Sequence, residues 1–323
     1  LKKGKLNVIF PDGENQIFTG KNYGFEADIK LKNYKLFNKL LRKGAVGFAE
    51  SYMDGDFDTN NLSKLLLLGS DNENIFLQNI KNNLISSSYI KFKHFLNQNT
   101  VKKSKKNIEY HYDLGNDFYK HWLDETMTYS SGIFLKKNHS LLDAQINKYE
   151  QIIKPMELSE NTNLLEIGCG WGGFSSYVAK KYNSNVRAIT ISKKQYEYAS
   201  QHIYNEGLNE KVTIEMIDYR DITEKYLNIA SIEMFEAVGK KYWITFLDTI
   251  KKSLLPGGVA SLQIITINDR KAELYQSNPD FIQQYIFPGG VLPSKNQLEK
   301  ITNDMGLSFV ELKNYKNSYA QTL

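Results

Sequence analysis

The stretch with the clearest chemical signal is a glycine-rich turn at residues 164–173, which reads LLEIGCGWGG. Gly168, Gly170 and Gly172 alternate with other residues, and a carboxylate, Glu166, stands in the apolar run before them. Glycines at such a turn allow a ligand to lie against the backbone. Gly168, Gly170 and Gly173 also match G-x-G-x-x-G, the glycine fingerprint of dinucleotide sites. The turn therefore predicts a cofactor site, and the first question is which cofactor it takes.

The position of the carboxylate separates two cofactor classes. A dinucleotide site has an acidic residue about 20 positions further on, at the end of the second strand. Residues 186–191, VRAITI, contain none, and Glu166 precedes the first glycine instead. A carboxylate at this place suits a ligand that carries a cation and no phosphate, such as S-adenosylmethionine (SAM). An ordinary glycine turn between a strand and a helix is the alternative.

Strands and helices alternate after this turn. Apolar runs predict strands at 163–167, 186–191, 212–217, 229–233, 259–265 and 307–315, and helical spacing predicts helices at 174–182, 193–205 and 240–254. The alternation is typical of the α/β class with a doubly wound, Rossmann-like parallel sheet. Ligands bind such sheets outside the carboxyl ends of the strands. Glu166, Thr190, Asp218 and Glu236 fall at or just after such ends. The closing strand of the sheet is not in the sequence, so we expect this domain to be C-terminally incomplete.

Three segments differ in composition. Residues 1–70 predict a small α+β N-terminal domain, residues 71–107 a basic helical connector, and residues 108–323 the α/β domain. In the first segment, the patterns predict a hairpin from 5–10 and 16–19, a strand at 25–31, a helix at 33–41 that stops near Gly44, and a helix at 60–68. The length of the chain accommodates two domains.

The connector concentrates the positive charge of a chain whose net charge is +5. Its lysines are Lys91, Lys93, Lys102, Lys103, Lys105 and Lys106, and they stand among apolar and aromatic residues. This mixture favours an anionic membrane surface over a nucleic acid, with a solvated lysine-rich linker as the alternative. No apolar run is long enough to cross a bilayer. The single cysteine, Cys169, excludes an internal disulfide and fits a reducing cytosol. No metal-binding motif is present.

Several stretches, taken together and in order, resemble the cyclopropane-fatty-acyl-phospholipid synthase family. They are residues 44–55 (GAVGFAESYMDG), 110–118 (YHYDLGNDF), 127–131 (MTYSS), 166–173 with 190–195 (TISKKQ), 218–221 (DYRD), 234–239 (MFEAVG) and 285–294 (YIFPGGVLPS). The resemblance implies that a SAM methyl group is delivered to the cis double bond of a membrane phospholipid acyl chain. Loss of a proton from the new methyl group would then close a cyclopropane ring.

The resemblance also implies which residues form the site. Its SAM-contacting positions are Tyr129, Ser130, Gly168, Gly170, Thr190, Gln195, Tyr219 and Arg220, to which we add Glu166, Gly172, Ser192 and Asp218 from the motifs themselves. Glu236, Ile265 and Tyr319 match positions that hold a bicarbonate ion acting as a base. We expect Glu236 to orient that base. Core packing is the alternative role of Tyr129 and Tyr219.

Two positions of the bicarbonate site depart from the family. The usual cysteine is Ser131 here, and the usual histidine is Gln263. Both can donate hydrogen bonds to an anion, but neither titrates near neutral pH as histidine does. A carbocation that is deprotonated elsewhere, or that shifts, would give a methylene or methyl branch instead of a ring. The expected product is the cyclopropane chain, with a branched chain, or a noncatalytic lipid- or SAM-binding protein, as alternatives.

The expected partner is the phospholipid membrane surface, at the inner, cytoplasmic face. A nucleic-acid substrate is not expected, because the loop after the fourth strand reads EMFE and lacks the polar-Pro-Pro-aromatic sequence that holds a base. A homodimer is compatible with the sequence, which does not define the oligomeric state.

Overall fold

The structure is a computed structural model, and it describes residues 1–72 and 115–322. The described residues form two compact units. One contains residues 1–72 and 277–285, and the other contains residues 115–276 and 286–322. That residues 277–285 belong with the N-terminal unit was not predicted. Most of the predicted connector, including its lysine cluster, lies outside the described residues.

The first unit has a four-stranded sheet in the order β2-β1-β3-β4. Its elements are β1 (Lys3–Ile9), β2 (Asn15–Thr19), β3 (Asn22–Leu31), α1 (Lys35–Met53), β4 (Phe57–Asp58) and α2 (Leu62–Asp71). Strands β1 and β2 pair antiparallel, which confirms the predicted hairpin, while β1 and β3 pair parallel. The core of this unit packs Val8, Ile29, Leu31, Phe57 and Leu65 together.

The prediction that the first helix stops near Gly44 was wrong in its extent. Gly44 does leave the helical conformation, with φ 57° and ψ −133°, but helical residues resume after it and α1 ends at Met53. Glycine adopts this positive φ without the steric cost of a Cβ atom. The residue therefore makes a kink between two helical segments where the sequence predicted an end.

The second unit has a parallel sheet in the order β7-β6-β5-β8-β9. The strands are β5 (Asn163–Ile167), β6 (Asn185–Thr190), β7 (Val212–Met216), β8 (Tyr226–Ile232) and β9 (Leu254–Gln263). All four pairings are parallel. The chain crosses over between β5 and β8, and a crevice at such a switch point is the usual ligand site of these sheets. The predicted doubly wound α/β fold is confirmed.

Helices cover both faces of this sheet. They are α3 (Asn116–Lys120), α4 (Leu141–Ile153), α5 (Gly173–Tyr182), α6 (Lys193–Asn205), α7 (Phe235–Val238), α8 (Trp243–Ser253), α9 (Asp269–Ser277), α10 (Lys295–Asp304) and α11 (Lys316–Thr322). A π-helical turn at Ile282–Ile286 falls almost wholly in the segment that belongs to the first unit. Short 3-10 turns occupy Lys154–Met156, Tyr219–Asp221 and Lys240–Tyr242. Successive side chains of β5 enter opposite cores, since Leu164 packs with Phe174 while Leu165 packs with Phe246.

The predicted sixth strand at 307–315 is not formed. Phe309, Val310 and Leu312 in this segment are 44%, 82% and 54% exposed. A strand needs the hydrogen-bonding edge of a neighbour, and among the described residues β9 pairs with β8 alone. Residues 307–315 thus have the apolar pattern of a strand, but no strand among the described residues pairs with them. In residues 1–72 and 115–322, no helix combines the length and apolar character needed to cross a bilayer.

Candidate active site

One pocket lies where the carboxyl ends of β5, β6 and β8 meet. Most of the residues that the sequence predicted for the cofactor line it, namely Tyr129, Ser130, Glu166, Gly168, Gly170, Thr190, Gln195, Asp218, Tyr219 and Arg220. Segments far apart in the chain thus converge on one cavity. The predicted residues that do not line it are Gly172 and Ser192.

Gly172 and Ser192 cap the helices that start beside the pocket. Gly172 is the N-cap of α5, with φ 89°. Ser192 is the N-cap of α6, and its hydroxyl oxygen accepts a hydrogen bond from the Gln195 backbone N–H at 3.3 Å. Caps and ligand-binding residues share the same residue types. Gly172 and Ser192 therefore begin the helices beside the pocket, and neither residue lines the pocket itself.

The glycine turn opens toward the pocket at Gly170. The backbone N–H groups of Gly168 and Cys169 both donate to the Ile189 carbonyl at 3.0 Å, which fastens the turn to β6. A Cβ atom at Gly168 would lie 2.9 Å from the Met234 side chain, whereas a Cβ atom at Gly170 would meet nothing within 4 Å. Because Gly170 lines the pocket, that empty space is space for a ligand.

Glu166 supplies a buried carboxyl group to this pocket. The Ser175 hydroxyl donates to it. Burial raises the pKa of Glu166 to about 7, with the Ser175 hydrogen bond and the Lys148 charge acting in the opposite direction. A cationic ligand beside this group would favour its ionised form. The site is therefore suited to a ligand of positive charge, as SAM is.

Lys148 is a charged residue of the site that was not predicted. Its side chain on α4 is completely buried, and its ammonium donates to the Ser130 hydroxyl at 2.5 Å. Burial lowers the pKa of Lys148 to about 7, while Glu233, Asp124 and Glu166 act to raise it. A lysine is almost never fully buried without partners. The amphipathic pattern of the helix therefore gave no indication that the Lys148 side chain is buried.

The segment after β7 is held by a carboxylate–guanidinium pair. The Arg220 guanidinium donates to both oxygens of Asp218, at 2.7 and 2.6 Å. It also lies 5.2 Å from the centre of the Tyr219 ring and 5.6 Å from that of Tyr242. Burial raises the pKa of the Tyr219 phenol to about 12. These contacts fix the three residues that form one side of the pocket.

Aromatic rings form the opposite part of the wall. Tyr129 stacks with Phe287 at a centroid distance of 6.4 Å, and both line the pocket with Trp171. Tyr119 packs between Tyr129 and Trp171, at 5.2 and 4.9 Å. Faces of aromatic rings attract cations. The wall can therefore stabilise a positive charge on a reacting group without offering it a nucleophile.

A carboxylate cluster lies at the end of β8, and one of its members lines the pocket. We use this name for Glu233 and Glu236 with Ser131, Gln263 and Ile265. The Ser131 N–H and the Gln263 side-chain amide each donate to the same oxygen of Glu233 at 2.9 Å. The Gln263 amide also donates to the Ser131 carbonyl at 3.0 Å. Ser131 and Gln263, the two positions that depart from the family, are thereby in direct contact with each other and with Glu233.

Glu236 is a buried member of the carboxylate cluster that does not line the pocket. Its Oε1 accepts a hydrogen bond from the Ile265 N–H, and its Oε2 is buried without a hydrogen-bond partner among the described residues. Burial, followed by the charge of Glu233, raises the pKa of Glu236 to about 8. Glu236 therefore keeps its proton near neutral pH. Tyr319 is close enough for both carboxyl groups to act with burial in raising the pKa of its phenol.

Glu233 is the residue of this cluster that the sequence analysis missed. It is the only member that lines the pocket, since Ser131, Gln263, Ile265, Glu236 and Tyr319 are not part of the wall. Its backbone has a φ of 50°. A signal for it was present, because Glu233 directly follows β8 and so belongs to the same sheet edge as Glu166 and Asp218.

The pocket fits SAM, and the carboxylate cluster does not fit an added bicarbonate ion. The open glycine turn and the buried Glu166 are the features that a cationic ligand requires. In contrast, the Ser131, Gln263 and Ile265 N–H groups are already bonded to carboxyl groups of the chain. An added anion would lie beside the Glu233 carboxyl group, and these three N–H groups would already be bonded to carboxyl groups of the protein.

Comparisons with known proteins agree with this geometry. A family model described as mycolic acid cyclopropane synthetase matches residues 99–323. The chain belongs to this family. It is a SAM-dependent methyltransferase, and the recognition of its family and enzyme class from the sequence is confirmed.

The relatives include two kinds of product. The chain is 36% identical over 277 residues to the cyclopropane-fatty-acyl-phospholipid synthase of Escherichia coli (strain K12), covering 84% of this chain and 68% of that protein. It is 32% identical over 298 residues to the tuberculostearic acid methyltransferase UfaA1 of Mycobacterium tuberculosis (strain ATCC 25618 / H37Rv), covering 89% and 69%. The structure of the mycolic acid cyclopropane synthase CmaA1 complexed with SAH and CTAB matches with a TM-score of 0.63 and 30% identity, over 68% of this chain and 80% of that one.

Proposed function

We propose that this methyltransferase delivers the SAM methyl group to the cis double bond of an unsaturated phospholipid acyl chain and yields a cyclopropane fatty acyl chain. One observation carries the proposal. A carboxylate, Glu233, lines the same pocket as the glycine turn and the buried Glu166. Ring closure needs a proton acceptor beside the methyl donor, because the added methyl group must lose a proton.

The pocket residues have three proposed roles, which are SAM binding, stabilisation of the carbocation and proton uptake. SAM, when bound, supplies an electrophilic methyl group. Glu166, Gly168 and Gly170 would hold it at the glycine turn, together with Tyr129, Ser130, Thr190, Gln195, Asp218, Tyr219 and Arg220. The faces of Tyr129, Trp171 and Phe287 would stabilise the carbocation that methyl transfer leaves on the lipid. The carboxylate cluster would take up the proton.

The lipid substrate is supported by the character of the wall and of the relatives. Aromatic rings and Met234 contribute apolar surface where the substrate should lie, and the Escherichia coli relative is named for a phospholipid substrate. We propose that the enzyme works as a peripheral protein at the inner, cytoplasmic face of the membrane. The lysines of the connector would provide the attraction to anionic lipid.

A methylene- or methyl-branched chain is the second candidate product. Gln263 favours it, because an amide cannot take up a proton where the family has a histidine. The likeness to UfaA1 also supports it. The two products share the methyl transfer step and differ in the fate of the carbocation. Direct loss of a methyl proton closes the ring, whereas a hydride shift before that loss leaves a methylene branch, and a saturated methyl branch further requires a reductant.

Purified protein tests the proposal directly. The protein is incubated with SAM and vesicles of dioleoyl phosphatidylglycerol, and dipalmitoyl vesicles serve as the saturated control. We expect release of S-adenosylhomocysteine only with the unsaturated lipid, and cyclopropane ring protons in the NMR spectrum of the extracted acyl chains. Turnover on neither lipid, with SAM bound, would support the noncatalytic alternative and contradict the proposal.

A further inference from the structure

The polar groups around Glu233 form a complete anion site that the chain fills itself. The Ser131 N–H and the Gln263 amide approach the same Glu233 oxygen from two different segments, both at 2.9 Å. The Ile265 N–H is bonded to Glu236 in the same way. Ser131, Gln263 and Ile265 occupy the positions that the family resemblance gives to a bicarbonate ion. In this chain each of them is bonded to a carboxyl group of the protein.

Two hydrogen-bond donors reach the Glu233 carboxylate, whereas Glu236 has one. Burial raises the pKa of Glu233, while the Ser131 N–H, the charge of Lys148 and the Gln263 amide act in the opposite direction by stabilising the carboxylate form. Glu236 has one backbone donor and one unpartnered oxygen, and burial with the Glu233 charge raises its pKa to about 8, so Glu236 is the carboxyl group that holds a proton near neutral pH. One negative charge is therefore already present at this place. A second anion beside it would be repelled.

The backbone at Glu233 is an independent observation. A glutamate with φ 50° stands in a conformation that costs a residue with a Cβ atom free energy and that glycine adopts freely. Such residues occur where the surrounding structure holds a side chain in place for function. Here the conformation accompanies a carboxylate that lines the cofactor pocket and bonds to residues from two other segments.

We propose that the Glu233 carboxylate is the catalytic base of this enzyme, and that it replaces bicarbonate. The inference rests on the proposed function for the identity of the reaction. The electron pair of the lipid double bond forms the new carbon–carbon bond to the methyl carbon as the carbon–sulfur bond breaks, and sulfur keeps the pair of that bond. Glu233 then takes a proton from the added methyl group, and the carbon–hydrogen pair closes the ring. Glu233 is left as a neutral acid, which returns its proton to water.

Bicarbonate binding provides a test that does not depend on the lipid substrate. Carbon-13-labelled bicarbonate is titrated into wild-type protein saturated with S-adenosylhomocysteine and into the Glu233→Ala variant. We expect no bound signal with wild type. We expect binding to Glu233→Ala, because the Ser131 and Gln263 donors then lack an anion. A bound bicarbonate in the wild-type site would overturn the proposal.

Turnover provides the second test. Wild type should work equally well in carbonate-free buffer and with added bicarbonate. Glu233→Gln, which keeps the size of the side chain, should lower turnover by about 100-fold or more, since general bases contribute that much, with SAM affinity unchanged. Glu233→Ala should regain turnover with added bicarbonate or formate. The exposed Glu210→Gln is the charge-matched control and should behave as wild type.

The outcomes separate this proposal from the proposed function. Bicarbonate-dependent turnover of wild type, or unchanged turnover of Glu233→Gln, would refute the role of Glu233 while the reaction stands. If wild type forms no product from unsaturated lipid, the proposed function fails. The bicarbonate titration then still decides whether the protein fills its own anion site.

Discussion

The Glu233 side chain and the Ser131 backbone, 102 residues apart in the sequence, are joined by a hydrogen bond of 2.9 Å. This bond ties the end of β8 to the segment that contains Tyr129 and Ser130, two residues of the cofactor pocket. The ammonium of Lys148 holds the same segment through Ser130. The position of the proposed base and the position of the cofactor wall therefore depend on each other.

The first prediction concerns the glycine turn. Gly170→Val should abolish SAM binding, because a side chain there would fill open space of the pocket. Gly207→Val is the matched control, since Gly207 also has a positive φ, 67° against 54°, and open space around it, but does not line the pocket. Calorimetry should detect SAM binding with the control alone. Equal loss in both variants would indicate backbone strain and contradict the site.

The second prediction concerns the charge of Glu166. Glu166→Gln keeps a partner for Ser175 and removes the charge, so SAM affinity should fall about tenfold, the scale of one charge-assisted hydrogen bond. Since the pKa of Glu166 is raised to about 7, wild-type affinity should increase as the pH rises through that value and the carboxylate forms. Titrations at several pH values should show a flat profile for the variant. A parallel profile would mean that another group causes the dependence.

Elements whose ends are set by neighbouring residues could be predicted from the sequence, whereas features that depend on distant segments could not. The bounds of β5 and α6 agree with the sequence patterns, because a glycine turn ends one and a serine cap begins the other. The prediction of a strand at 307–315 was wrong, because a strand forms only against the edge of a neighbouring strand, and an apolar pattern does not specify that neighbour. Lys148 could not be found, because its burial depends on how α4 packs on the sheet.

Glu233 was missed for a different reason. The EMFE loop contains two acidic residues, and the family resemblance directed attention to Glu236. The rule that ligands bind at the carboxyl ends of strands applies to Glu233 as well, since it follows β8 directly. Only the structure distinguishes the two, because Glu233 lines the pocket while Glu236 is buried behind it.

The third prediction concerns stability and pH. Burial and Glu233 raise the pKa of Glu236 from its ordinary 4.5 to about 8. The folded state therefore holds a proton that the unfolded state releases, and the free energy of unfolding should fall as the pH rises from about 5 to about 8. The slope approaches about 1.4 kcal/mol per pH unit for one proton. Urea unfolding of Glu236→Gln should lack this component. Parallel slopes for the two proteins would show that Glu236 ionises normally.

The fourth prediction concerns membrane binding. Replacing Lys102, Lys103, Lys105 and Lys106 by glutamine should weaken sedimentation with anionic vesicles, since each lysine near such a surface contributes about 1 kcal/mol. Binding should also decrease with added salt. The control replaces the exposed Lys136, Lys137, Lys225 and Lys300, which removes the same charge elsewhere. If both variants bind alike, the connector has no special role.

Deuterium in the methyl group of SAM shows which bonds break when the lipid product forms. A host that lacks this activity is grown with methionine carrying a trideuterated methyl group, and its phospholipid acyl chains are analysed by mass spectrometry and NMR after expression of the enzyme. We predict a cyclopropane ring whose methylene carries two deuterium atoms, and no product with Gly170→Val. A methylene branch with two deuterium atoms, a methyl branch that keeps all three, or acyl chains without deuterium would contradict the proposed cyclopropane product.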